Sequence, residues 1–175
     1  MARAIPERYR WAVDILDVQP ADVILEIGCG YGHSISLISD KLSTGRLTAI
    51  DRSEKMVAAA TRSNRQLIGS GRAEVLHKDL LDSALSASQF DKIFLFNINV
   101  FWMDPADELA EIRRLLKPRG RFYLFHQPPP GHILSEFEKE FRANFEKHGF
   151  TLIDQFRHEN EPIRSIALVG EPNLQ

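Results

Sequence analysis

The stretch "ILEIGCGYGHSISLI", Ile24 to Ile38, decides how this chain is read. It opens with an apolar run, passes through glycines at 28, 30 and 32, and continues into the polar start of a helix. A short apolar run bounded by glycines reads as a buried strand followed by a tight turn. Alternate glycines let the backbone turn sharply and approach a ligand closely. A helix that begins directly after such a turn offers free N–H groups and the positive end of its dipole.

The dinucleotide fingerprint after a first strand is G-x-G-x-x-G. Counting from Gly28, its third glycine would fall at 33, but that position is His33 and the glycine is Gly32. Glu26 stands two residues before the first glycine. A carboxylate there repels a pyrophosphate and favours a cationic ligand. An NAD-dependent oxidoreductase is disfavoured on both counts.

On either side of this stretch, short apolar runs alternate with helical periods. Pro6 and Pro20 bracket a first helix carrying Tyr9, Val13 and Leu16 on one face. Residues 23–27, 46–50, 73–77, 91–97 and 121–126 read as five strands. Ile35, Ile38 and Leu42 mark the helix after the glycines. Ser53 caps the next helix, which carries Met56, Ala60 and Leu67 and ends at Gly69. Asp104 and Pro105 open a helix with Leu109, Ile112 and Leu116 inward. Ser135 and Glu138 form a capping box for a helix whose Phe137, Phe141 and Phe145 pack on the sheet. Residues 151–157 and 162–170 read as an antiparallel hairpin. This order implies a three-layer, doubly wound α/β fold with a mostly parallel sheet and an antiparallel C-terminal edge.

The 175 residues suit one domain, residues 1–175, with a sizeable core. A formal charge of −2 provides no global positive field for nucleic acid or an anionic membrane. Cys29 stands alone, so no disulfide framework or cysteine-based metal cluster forms within the chain, and no metal site is expected. The start lacks a long apolar segment and no run is long enough to span a bilayer, which makes a cytoplasmic location the expectation. Arg113, Arg114, Lys117, Arg119 and Arg121 form a basic run over a helix end and the start of the fifth strand, where it complements the helix dipole.

Glu26-Ile27-Gly28-Cys29-Gly30-Tyr31-Gly32 resembles the first motif of the class I S-adenosylmethionine-dependent methyltransferases, Glu/Asp-x-Gly-x-Gly-x-Gly. "AIDRSEKMVAAA", "HKDLLD" and the segment from Phe90 to Phe125 are similar to the family's later segments. The resemblance implies a seven-stranded sheet of order 3-2-1-4-5-7-6. It implies S-adenosylmethionine as cofactor and S-adenosylhomocysteine as product. It assigns Glu26, Gly28, Cys29, Gly30 and Gly32 to the glycine turn. Asp51 takes the ribose hydroxyls, Arg52 and Met56 lie near the adenine, Asp79 accepts from its amino group, and Leu80 covers the ring. Arg119 stands where the family has a glycine.

The acceptor then approaches at the carboxyl ends of the strands. Asn97 is expected to bond the cofactor or the acceptor, and Tyr31, Phe101, Trp102, Met103 and His126 to line the acceptor pocket. His126 is the first candidate for a general base and His33 the second, because an unperturbed imidazole titrates near neutrality. Pro128 to Pro130 make a stiff rim. Residues 1–22, with Tyr9 and Trp11, read as a helical segment that either folds over the site as a partial lid or leaves it open to a large acceptor or to completion by a dimer partner. The reading is methyl transfer to a small-molecule acceptor, with no nucleic acid or membrane partner, in a monomer or homodimer. A non-catalytic module that binds S-adenosylmethionine or S-adenosylhomocysteine is the alternative.

Overall fold

The structure is a computed structural model that describes residues 5–129, 131–159 and 164–173, with backbone alone at 100 and 102. Its elements run α1 Glu7–Leu16, β1 Val23–Ile27, α2 His33–Ser39, β2 Arg46–Asp51, α3 Glu54–Ser63, α4 Arg65–Gly69 and β3 Ala73–His77. Then come β4 Phe90–Phe96, a 3-10 turn Asn99–Trp102, α5 Ala106–Leu115, β5 Leu116–His126, α6 Leu134–Lys147, β6 Phe150–His158 and β7 Ser165–Pro172. The seven strands form one sheet of order β3-β2-β1-β4-β5-β7-β6. The first five are mutually parallel, and β7 runs antiparallel between β5 and β6.

Alternation along each central strand feeds two cores. Leu25, Ile27, Phe122 and Leu124 face α5 and α6, where Leu109, Ile112, Phe141 and Phe145 meet them. Ile24, Phe94, Tyr123 and Phe125 face α1 and α2, where Leu16, Ile35 and Ile38 meet them. The strands are buried on both faces, which explains their unbroken apolar runs. Among the described residues no helix is long and apolar enough to cross a membrane.

Several local expectations are corrected. Helical structure over 54–69 is broken at Asn64, whose buried Nδ2 donates to the carbonyls of Gly32 and Ala60 at 3.1 and 3.0 Å. Asn64 therefore ties α3 to the glycine turn. Neither Asp104 nor Ser135 caps a helix. Asp104 accepts from Lys147 and His148, while α6 starts at Leu134 with Ile133 as its N-cap. Glu138 bonds Gln155 and Arg157 on β6 instead of closing a capping box. Of the basic run, Arg113 and Arg114 stand in the last turn of α5 as the dipole reading expects, and three of its five residues also pair with carboxylates: Arg114 with Glu111, Lys117 with Asp91 and Arg121 with Glu171. Residues 160–163 of the hairpin connection lie outside the described residues.

The fifth strand begins at Leu116, five residues before its expected start. Residues 117–120 form an irregularity within the strand, where its pairing with β4 shifts register. Arg119 sits there at φ 66, a left-handed conformation that crowds a Cβ. Its side chain is exposed. Arg119→Gly is expected to raise stability by about 0.5–1 kcal/mol, the relief of strain less the added freedom of the unfolded chain. A denaturant midpoint that stays put or falls would contradict this.

Candidate functional site

The glycine turn folds back over the end of β2. Gly28 and Cys29 donate their N–H groups to the Ile50 carbonyl at 2.8 and 3.1 Å. Gly30 N–H donates to Asp51 Oδ2 at 2.8 Å, and Ser53 N–H donates to Asp51 Oδ1 at 2.9 Å. Ser53 in turn accepts from Met56 N–H at 3.4 Å and caps α3. One carboxylate thus links the turn after β1 to the turn after β2. All three glycines have positive φ, from 53 to 72°. A Cβ added at Gly30 would meet nothing within 4 Å, so open space lies over that backbone. At Gly28 the added atom would lie 2.4 Å from Ile98 Cδ1.

A crevice of about 400 Å³ opens beside the turn. Gly28, Asp51, Arg52, Asp79, Leu80, Asn97 and Phe101 line it, together with Ile27, Ile50, Lys78, Ile98, Asn99 and Glu108. Its size falls within the range of small-molecule sites. Its lining mixes apolar side chains with the carboxylates of Asp51, Asp79 and Glu108 and the cations Arg52 and Lys78. Lys78, Ile98 and Glu108 were missed by sequence reasoning. Lys78 and Ile98 adjoin residues already singled out, while Glu108 carries no signal beyond an acid in the first turn of α5.

The remaining candidates fall into two groups. Asn97, at φ 56, accepts from Gln127 N–H through Oδ1 at 2.7 Å and fastens the loop after β5 to the end of β4. Phe101 is buried against Phe122, and Asn144 of α6 donates to the carbonyls of Phe101 and Met103. Met103 is 74% exposed, and the Trp102 side chain lies outside the described residues. Tyr31 and His33 stand beside each other on the α1 side of the turn, their ring centroids 6.1 Å apart. Met56 is half-buried on α3 and is not among the residues that line the crevice. Cys29 is buried, and burial with the nearby Glu26 and Asp51 carboxyls pushes its thiol far above its usual range, which keeps it protonated.

His126 is 1% exposed and does not line the crevice. Its side chain alternates to the α6 face, where the Phe137 and Phe141 rings lie 4.4 and 5.4 Å away. Burial, helped by nearby His132, lowers its pKa to about 4. The imidazole is neutral at pH 7 and packed within an aromatic cluster.

Glu26 is 2% exposed, beneath the first turn of α2, and Ser34 Oγ donates to its Oε1 at 2.5 Å. Among the described residues its Oε2 has no hydrogen-bond partner. Burial raises its pKa from 4.5 to about 8, with Asp51 adding to the shift and Ser34 opposing it. The carboxyl is therefore mostly protonated at neutral pH, and a cation brought close would favour its ionisation.

This sheet order, with an acid-led glycine turn at the carboxyl end of β1, defines the class I S-adenosylmethionine-dependent methyltransferases. Residues 24–120, more than half of the chain, match the methyltransferase domain family, and the chain belongs to it. A putative methyltransferase of Bacillus subtilis (strain 168), YrhH, is 38% identical over 112 residues, which cover 64% of this chain and 61% of that protein. An uncharacterized methyltransferase of the same strain, YdaC, is 27% identical over 168 residues, covering 93% and 91% respectively. A crystal structure of a SAM-dependent methyltransferase from Aquifex aeolicus superposes with TM-score 0.76 at 19% identity, over 93% of this chain and 88% of the other. S-adenosylmethionine is the cofactor of this family.

Glu26 generates a prediction with a definite sign. Its folded pKa of about 8 lies above its ordinary 4.5, so the unfolded chain binds fewer protons between those values. Glu26 therefore lowers stability as pH rises through that window. Glu26→Gln is expected to melt with the wild type near pH 4.5 and several degrees above it at pH 8.5. A constant gap between the two melting temperatures across this range would contradict the burial argument.

Proposed function

We propose that this chain transfers a methyl group from S-adenosylmethionine to a small-molecule acceptor. The observation that carries the reading is the Asp51 carboxylate beside the open backbone of Gly30. Each Asp51 oxygen accepts one backbone N–H, and a carboxylate has about four lone-pair sites. Two acceptor sites remain for a vicinal diol, in an orientation already fixed by the protein.

The other residues fit the same ligand. Leu80 and Ile98 offer apolar contact to a planar base, and Asp79 adds an acceptor at the rim of the crevice. Asp79 Oδ1 already receives Leu81 N–H at 3.2 Å, which holds the carboxylate in place. The turn over Gly30 gives room for the amino-acid end, and Glu26 beneath α2 supplies a carboxyl whose ionisation a cation would favour. When bound, the cofactor supplies an electrophilic methyl carbon on a sulfonium, and displacement by an acceptor atom returns the C–S electron pair to sulfur. The chain's share is binding, orientation and exclusion of water. His126 is too deeply packed in this arrangement to reach an acceptor, so the reading assigns it no proton transfer.

Asp51→Ala is expected to weaken S-adenosylmethionine binding at least tenfold, about 1.4 kcal/mol, in calorimetric titration. Its melting temperature, read alongside, reports any loss of the turn's own anchor. Unchanged affinity would remove Asp51 from the ribose role. Binding of NAD in place of S-adenosylmethionine by the wild type would overturn the reading.

A further inference from the structure

The end of β4 carries two consecutive residues with different surroundings. Asn97 lines the cofactor crevice, while Phe96 turns to the opposite face of the sheet, toward α1. There Phe96 stacks on Phe125 with centroids 5.9 Å apart and planes at 13°. Tyr9 of α1 lies 5.4 Å from Phe96 and 5.3 Å from His33, the first residue of α2. These half-buried rings form an aromatic wall that shares its border with the glycine turn.

Arg8 stands over this wall. Its guanidinium carbon is 5.0 Å from the Tyr9 ring centroid and 5.9 Å from that of Phe96. Its Nε is buried without a hydrogen-bond partner, and among the described residues Arg8 enters no ion pair. Arg8 as a whole is half-buried: its Nε edge is turned away from water, while its two terminal nitrogens are not among the buried unpartnered atoms and face outward. A buried donor left unbonded on a charged group carries a desolvation cost, and ring contacts alone return only part of it. A planar fork of donors on an aromatic wall is the arrangement that recognises a carboxylate or phosphate attached to a flat body.

We propose that Arg8, Tyr9, His33 and Phe96 form the acceptor subsite, and that the acceptor is an anion on a planar apolar framework. The anionic group docks on Arg8, the framework lies along Tyr9 and Phe96, and the reacting atom points across Asn97 to the glycine turn. This rests on the methyltransferase reading, because the wall is an acceptor site only if the crevice holds the methyl donor.

The test uses the full chain saturated with S-adenosylhomocysteine, titrated by NMR with 4-hydroxybenzoate, phenyl phosphate and neutral 4-hydroxybenzamide. At least one anion is expected to bind about fivefold or more tightly than the amide, with shifts centred on Tyr9, His33 and Phe96. The tighter anion tells carboxylate from phosphate. Arg8→Gln is expected to erase the preference and Arg8→Lys to retain part of it, both with unchanged affinity for S-adenosylhomocysteine. If S-adenosylhomocysteine binds but neither anion is preferred, or the preference survives Arg8→Gln, this proposal alone is overturned. If S-adenosylhomocysteine does not bind, the methyltransferase reading falls and the subsite with it.

Discussion

One carboxylate holds the site together. Asp51 receives the backbone of Gly30 with one oxygen and that of Ser53 with the other, while the Ile50 carbonyl receives Gly28 and Cys29. The three bonds from Gly28, Cys29 and Gly30 fold the turn after β1 onto the end of β2, and the bond from Ser53 holds the Asp51 carboxylate in place. They also dictate what surrounds it. A glycine turn bent this far needs positive φ at 28, 30 and 32, and the sharp exit at Gly32 is fastened by Asn64 at the break between α3 and α4. The parallel sheet serves this joint by bringing the carboxyl ends of β1 and β2 side by side.

The sheet's two faces surround the glycine turn differently. The crevice opens over Ile27, Ile50 and Leu80, which belong to the core beneath α5 and α6. Glu26, Phe96 and Tyr9 lie toward α1 and α2. The glycine turn is the boundary between them, which is why residues adjacent in sequence, Glu26 and Ile27 or Phe96 and Asn97, serve different regions. The pleat sends neighbours to opposite sides, so a strand that ends at a ligand site contributes to both.

Much of this was legible in the sequence. Glycine spacing, the acid at 26 and the acid at 51 are local signals, and the alternation of strands and helices needs no knowledge of contacts. The structure brings Gly28, Asp51, Arg52, Asp79, Leu80, Asn97 and Phe101 to one crevice. What escaped depends on where side chains point in space. Asp104 and Ser135 have the composition of helix caps, but tertiary partners claim the first and α6 begins before the second. The fifth strand starts before its expected bound because the sheet absorbs residues 117–120 as an irregularity. His126 is a strand-end histidine by sequence, yet the pleat turns it into an aromatic core. Arg8 gave no signal, because its interest lies in contacts with rings distant in the chain.

The central claim is that the joint made by Asp51 and the glycine turn is the seat of the methyl donor. A crystal structure of the protein soaked with S-adenosylhomocysteine tests it most directly. The account predicts both ribose hydroxyls within hydrogen-bond distance of Asp51, the adenine against Leu80 and the amino-acid end over Gly30. Ligand density away from this joint, or a ribose that does not touch Asp51, would contradict it.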